Sequence, residues 1–130
     1  MLWNEPVMQG LTRGLDVAAL RQKVTANNIA NLNTPGFKRS YVLFGEELEK
    51  ARGKLPLART DVRHYPGRPG ETDPRVQKEQ HTSRRSDGNN VDLDQEMLDM
   101  VTNQLRYNAL IQTISGRLAA WRYVINEGRG

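Results

Sequence analysis

Ala26-Asn27-Asn28-Ile29-Ala30-Asn31-Leu32-Asn33-Thr34-Pro35-Gly36-Phe37-Lys38-Arg39 carries the sharpest structural signal in this chain. It predicts the end of a long helix, a sharp turn, and an exit into an extended strand or loop. Ile29 and Leu32 hold helical spacing, while Asn27, Asn28 and Asn31 place amides on neighbouring faces. The residue before a proline avoids right-handed helical dihedrals, so the helix is expected to stop near Asn33. Pro35 and Gly36 suit the two central positions of a type II turn, the second of which needs positive φ. Phe37 then leaves in a fixed direction and is expected to pin the departing chain against the helix. Carboxamides are poor helix formers. A row of them marks either a solvated, frayed helix end or a set of register-fixing contacts.

Upstream, a first helix is expected to start near Glu5, since Pro6 is compatible with a first turn and Glu5 with the positive dipole end. Met8, Leu11, Leu15, Ala18, Gln22, Thr25, Ile29 and Leu32 keep three-four spacing, with Val17, Leu20 and Val24 beside them. Gly10 and Gly14 each weaken the early turns by about 1 kcal/mol relative to alanine. Downstream, Tyr41, Val42, Leu43 and Phe44 form a short apolar cluster that fits a brief strand or a packed loop. Residues 49–90 then turn rich in Pro, Gly, Arg and Asp, and Pro56, Pro66, Pro69 and Pro74 break any helix there. A stretch of that length is a mobile loop, a small β-excursion, or a segment ordered by partners.

Asp87-Gly88-Asn89-Asn90 signals a turn, and Asp92 with Gln95 three residues on makes a capping box for a second helix. Asp92, Asp94, Glu96 and Asp99 load its start with negative charge and Arg117 and Arg122 lie toward its end, matching the helix dipole. Its expected seam is Leu93, Met97, Met100, Gln104, Tyr107, Ile111, Ile114, Leu118, Trp121 and Ile125, with a second apolar row at Leu98, Val101, Leu105 and Leu110. Gln104, Asn108 and Gln112 add an amide row, either an ordinary polar face or a partner for Asn27, Asn28 and Asn31 of a neighbour.

The expected fold is therefore all-α dominated. Two long terminal helices pack as an antiparallel coiled coil around an irregular or small β-containing polar middle segment. The expected divisions are an N-terminal helical segment at 1–36, a middle segment at 37–90 and a C-terminal helical segment at 91–130. Each helix carries more than one apolar row, so no single partner covers it, and other subunits must.

Composition sets the outer bounds. The chain has 130 residues, 37% of them hydrophobic and 26% charged, so a large private core is not expected. Mean hydropathy is −0.71. The lack of cysteine excludes a disulfide framework and thiolate metal sites. It also fits a protein that crosses a channel unfolded. No basic start followed by an apolar run marks a cleaved signal peptide, and no apolar segment approaches the roughly 18–20 residues of a membrane span. The net charge of +4 is uneven. Residues 1–49 balance five basic against five acidic side chains, residues 50–87 hold ten against five, and residues 88–130 four against five. The basic excess thus sits in the middle segment and not on a helix face, which argues against nucleic-acid binding through a helix.

The string from Ala26 to Arg39 resembles the signature near the N-terminus of the flagellar rod and hook proteins, the axial family of the bacterial flagellum. The run from Asp87 to Met97, and the later Asn103-Gln104-Leu105-Arg106-Tyr107-Asn108 and Val124-Ile125-Asn126-Glu127-Gly128-Arg129, resemble the last helix of a proximal-rod member. Together these stretches cover roughly half of the chain. The resemblance implies a structural subunit of the basal-body rod, stacked helically in the periplasm and exported by the flagellar type III apparatus without a cleaved signal. The partners it implies are other rod subunits, a rod adaptor protein, the export gate and further copies of the chain, with no nucleic acid and no membrane insertion. Assembly contacts are then expected at Asn27, Asn28, Ile29, Asn31, Asn33, Thr34, Pro35, Gly36 and Phe37, and on the second helix at Met97, Gln104, Tyr107, Asn108, Ile111 and Leu118. Phe44-Gly45-Glu46-Glu47-Leu48 resembles the short signal read by the export gate, with Phe44 and Leu48 as its anchors.

No catalytic, cofactor or metal site is expected. His64 and His81 stand alone in the polar middle segment without a ligand pattern around them. The acids at 92–99 lack the glycine and terminal glutamate of a calcium loop. The glycines near 67–70 open no helix that cradles a phosphate. Two rivals remain at this point: a nucleic-acid-binding helical hairpin with residues 50–87 as a basic arm, and an amphipathic membrane-surface protein. The second wants an apolar face flanked by Lys and Arg that neither helix has.

Overall fold

The structure, a computed structural model, describes residues 6–44 and 74–126. Among the described residues four elements follow one another: α1 (Pro6–Ala30), β1 (Ser40–Leu43), β2 (Arg75–Lys78) and α2 (Leu93–Ile125). The helices pack against each other and run antiparallel. Asn28 of α1 meets Glu96 of α2, Ala18 meets Asn103, and Gly14 meets Leu110, so falling numbers on one helix pair with rising numbers on the other. The predicted arrangement of two helices around a small β element is the one observed.

α1 opens on Pro6, whose missing N–H belongs to a position that has no intrahelical acceptor. It closes at Ala30, three residues before the predicted end at Asn33. The cause is a tightening of the last turn. The Asn31 N–H is shared between the carbonyls of Asn27 and Asn28, both at 3.2 Å, and Leu32 and Thr34 donate to Ile29 and Asn31 at 3.1 Å. Gly36 has φ +70°, and the Phe37 N–H returns to the Thr34 carbonyl at 3.3 Å. That is the predicted turn, with Pro35 fixing the first central residue and Gly36 supplying the left-handed second. β1 then pairs antiparallel with β2, Ser40 opposite Lys78 and Leu43 opposite Arg75.

α2 starts at an N-cap in which Asp92 accepts from the backbone N–H of Asp94 and Gln95. Only half of the predicted capping box forms: the Gln95 amide turns along the helix and donates to Asp99 Oδ1 at 3.0 Å. The 33 residues of α2 reach roughly 50 Å, against about 38 Å for the 25 residues of α1.

The predicted seam of α2 is displaced. Leu93, Met97, Gln104, Tyr107, Ile111, Trp121 and Ile125 are exposed, Met100, Ile114 and Leu118 half-buried, and the buried side chains are Glu96 and Asn103. The face toward α1 thus runs through Glu96, Asn103 and Leu110, one position off the expected stripe. Apolar residues surround this helix, so hydrophobicity alone selects no face, and polar contacts to α1 set its rotation. At the crossing, a Cβ on Gly14 would lie 3.3 Å from the methyls of Leu110, so glycine at that position lets the helices approach.

The interior is small and polar. Buried apolar side chains are Met8, Val17, Ala18, Val24 and Val91, whereas Thr25, Asn28, Ser40, Asn89, Asn90, Glu96 and Asn103 are buried polar ones. Hydrogen bonding therefore specifies this fold at least as much as apolar burial does. Two glycines should respond in opposite ways. Gly10 faces open space within a helix, so Gly10→Ala is expected to stabilise by about 0.5–1 kcal/mol. Gly36→Ala should destabilise by about 1–2 kcal/mol because alanine strains at positive φ, with Gly36→Asn losing less. Denaturant midpoints of the three variants check the signs.

Candidate functional site

The polar interior is concentrated where α1 ends, β1 begins and α2 starts. Asn28, on the inner face of α1, treats Ser40 as a strand neighbour would. Its Nδ2 donates to the Ser40 carbonyl at 2.7 Å, and its Oδ1 accepts the Ser40 N–H at 2.9 Å. The same Nδ2 donates to Glu96 Oε2 at 3.0 Å. Glu96 is only 1% exposed, and a carboxylate that far from water demands compensation. Arg39 supplies it. Its Nε donates to Glu96 Oε1, its Nη2 to Asp99 Oδ2 at 2.9 Å, and its Nη1 lies 3.8 Å from Glu79 Oε2. Burial disfavours the charge on Arg39, but the hydrogen bond to Glu96 and the charges of Glu96, Asp99 and Glu79 outweigh it. Its pKa is held above the ordinary arginine value.

The Asp87–Asn90 turn closes the junction from the other side. Gly88 turns the chain at φ +84°. Fully buried Asn89 points its Nδ2 at the carbonyls of Asn31, Leu32 and Thr34, at 3.1, 2.9 and 2.9 Å, and thereby caps the carbonyl end of α1. Its Oδ1 accepts the Val91 N–H at 2.8 Å. Asn90 works on the strands: Oδ1 accepts the Arg39 N–H at 2.6 Å, and Nδ2 donates to the Glu79 carbonyl and to Thr82 Oγ1, both at 2.9 Å. Arg85 donates to the Leu32 carbonyl at 3.0 Å, and Lys38 Nζ to the carbonyls of Thr82 and Gly88 at 2.8 and 2.6 Å. Residues 27–40 and 79–99 are one hydrogen-bonded unit.

Of the residues singled out in the sequence, Asn28 lies inside this unit, with its amide engaged by its own chain. Asn31 is half-buried, donating to the Asn27 carbonyl and accepting from Thr34 Oγ1. Ile29 and Phe37 are half-buried, and Asn27, Asn33, Thr34, Pro35 and Gly36 form the exposed outside of the turn. Met97, Tyr107 and Ile111 are exposed along α2, Leu118 is half-buried, and the exposed Gln104 and Asn108 bond each other at 3.1 Å. Phe44 is half-buried against the helix pair, whereas Leu48 and His64 lie outside the described residues. His81 is exposed. Among the described residues no group of three or more His, Cys, Asp and Glu is placed to hold a metal ion, and no helix is long and apolar enough to cross a membrane.

Several residues of the junction escaped the sequence reading: Arg39, Asn89, Asn90, and the partnering of Glu96 with Asp99. In the sequence the helix dipole alone accounts for the acids. Their spacing of three, on one helix face, is the signal for a shared cation.

Farther along, Asn103 ties the helices together. Its Nδ2 donates to the Ala18 carbonyl at 2.8 Å and to Gln22 Oε1 at 3.0 Å, while its buried Oδ1 has no hydrogen-bond partner among the described residues. Beside it, Arg21 and Arg106 face each other across the helix pair. Burial, followed by the like charge of Arg106, pulls the Arg21 pKa below the usual value.

An antiparallel helix pair clamped by a polar junction, with apolar side chains exposed along its second helix, has the form of a component of an assembly. The comparisons agree. A sequence model of the family described as flagella basal body rod protein matches residues 8–38, the span from mid-first turn of α1 to the turn and exit. The chain is 34% identical to a flagellar basal body rod protein FlgB of Bacillus subtilis over 122 residues, covering 94% of this chain and 95% of that one. It is 37% identical to the FlgB of Borreliella burgdorferi, covering 75% and 79%, and 32% identical to that of Escherichia coli, covering 88% of each. The chain belongs to the FlgB family of flagellar basal body rod proteins, and is a structural subunit of that rod.

The junction makes a quantitative claim. Arg39→Ala strands a buried carboxylate and is expected to cost about 3–5 kcal/mol. In a Glu96→Gln background the same substitution should cost at least about 1 kcal/mol less. A double-mutant cycle from urea unfolding measures that coupling.

Proposed function

We propose that this chain is a building block of the proximal rod that polymerises helically with other rod subunits and with further copies of itself, and so carries torque from the motor. On this reading its base meets a rod adaptor protein and the export gate. The chain reaches the periplasm through the flagellar type III apparatus, without a cleaved signal peptide. Its work is mechanical and involves no catalysis.

The observation that supports this most is the outside of α2. Leu98, Val101, Leu105, Ile111, Trp121, Tyr123, Val124 and Ile125 are all exposed on one helix. So many large apolar side chains left exposed on one helix point to cover by partners, since extended exposed apolar surface marks interfaces. Among the described residues α1 occupies the Glu96–Asn103–Leu110 face, and on this reading helices of neighbouring subunits cover the rest. A rod of closely packed subunits supplies that cover.

Deleting the gene tests the assignment. The expected result is a non-swimming strain whose isolated basal bodies retain membrane rings and lack a rod, restored by the gene in trans. Swimming at wild-type speed with intact rods would contradict it.

A further inference from the structure

One surface of the helix pair is built to receive something charged. Gly14, Val17, Ala18, Leu110 and Phe44 form the apolar floor of a groove of about 390 Å³ between α1 and α2, with Arg21 and Arg106 also lining it. Neither guanidinium has an ion pair among the described residues. Two like charges held together over an apolar floor raise the energy of the free surface and favour whatever brings a carboxylate. Buried Asn103 lines the same groove, and its Oδ1 has no hydrogen-bond partner among the described residues.

The complement lies on the same chain. Asp94, Leu98, Val101 and Leu105 follow spacing of four, three and four, so they share one face of α2. At about 100° per residue that face is opposite the one through Glu96, Asn103 and Leu110. All four residues are exposed, Leu98 at 61% and Leu105 at 66%. It is an apolar ridge headed by a carboxylate. The seven residue steps from Asp94 to Val101 span about 10 Å, as do the seven from Gly14 to Arg21 along the groove.

We propose that the groove lined by Arg21, Arg106, Val17 and Leu110 receives the Asp94–Leu98–Val101 ridge of a second copy of this chain, head to tail. The proposal rests on the assembly reading above and names one of its contacts. Asp94 sits between the two arginines, and Leu98 and Val101 lie on the apolar floor. The two α2 helices then run parallel, with Asp94 of one copy level with Arg106 of the next, a stagger of roughly 18 Å. The donor ridge and the acceptor groove are different patches of the chain. The contact therefore does not close on itself, and its repetition builds an open helical array.

The absence of cysteine permits a direct test. Leu98→Cys and Ala109→Cys are introduced together into the full-length chain, expressed in the deletion strain. The two positions are about 16 Å apart along one helix, beyond the Cα separation a disulfide tolerates, so any bridge joins two chains. Mild oxidation is expected to give a reducible ladder of dimers, trimers and longer multimers of this chain. Asp94→Lys, at an exposed position, should reduce the ladder by roughly tenfold or more. Arg21→Glu with Arg106→Glu should do the same, and combining the two sets of reversals should restore it. Circular dichroism confirms that each variant keeps its helices. Three results overturn the proposal: no ladder from cells that swim and build rods, a ladder indifferent to charge reversal, or a bridge to a chain of different mass. The first leaves the rod assignment standing, and loss of that assignment shows instead in the deletion strain.

Discussion

A carboxylate with almost no access to water organises this molecule. Glu96 sits at the start of α2, and its buried charge is tolerable because Asn28 and Arg39 both reach it. Those two residues come from either side of the Thr34–Phe37 turn, so satisfying Glu96 fixes where α1 ends, how the chain leaves it, and where α2 must begin. Asn28 adds the backbone of Ser40 to the same contact, and Arg39 adds Asp99. Asn89 and Asn90 then lock the turn before α2 onto the same segment. Every partner needs the others in place, and such networks specify geometry more sharply than apolar contacts do.

That specificity resolves a difficulty for a subunit of this kind. A helix apolar around most of its circumference has no preferred rotation in a purely hydrophobic packing. Here hydrogen bonds at Glu96 and Asn103 select the face turned to α1, and the remaining apolar surface is left outward, available to neighbours. The chain is thus ordered at one end by polar contacts of its own and left unsatisfied along α2. A subunit that must add to a growing structure needs that division.

Much of this was legible in the residues. The helix–turn–exit at Ala26 to Arg39 followed from Pro35 and Gly36, and the start of α2 from Asp92, because local backbone chemistry decides both. The surplus of apolar rows correctly implied partners beyond the chain. The face of α2 did not emerge, because Leu, Met and Ile at several angles outweigh one Glu and one Asn in any periodicity. That Asn28 bonds within the chain is not legible either, because a partner twelve residues away in sequence, at Ser40, leaves no periodic trace. Asn89 and Asn90 read as turn formers, and nothing local reveals that the turn folds back onto the carbonyls of α1.

The junction is satisfied by its own chain whereas the outside of α2 is left exposed, and amide hydrogen exchange compares the two directly. In the dilute chain, protection is expected at residues 28–40 and 89–103, with fast exchange over the part of α2 beyond Leu110; in isolated rods the whole of α2 should be protected. Uniform strong protection from Leu93 to Ile125 in the dilute chain would contradict it, since α2 would then need no neighbour.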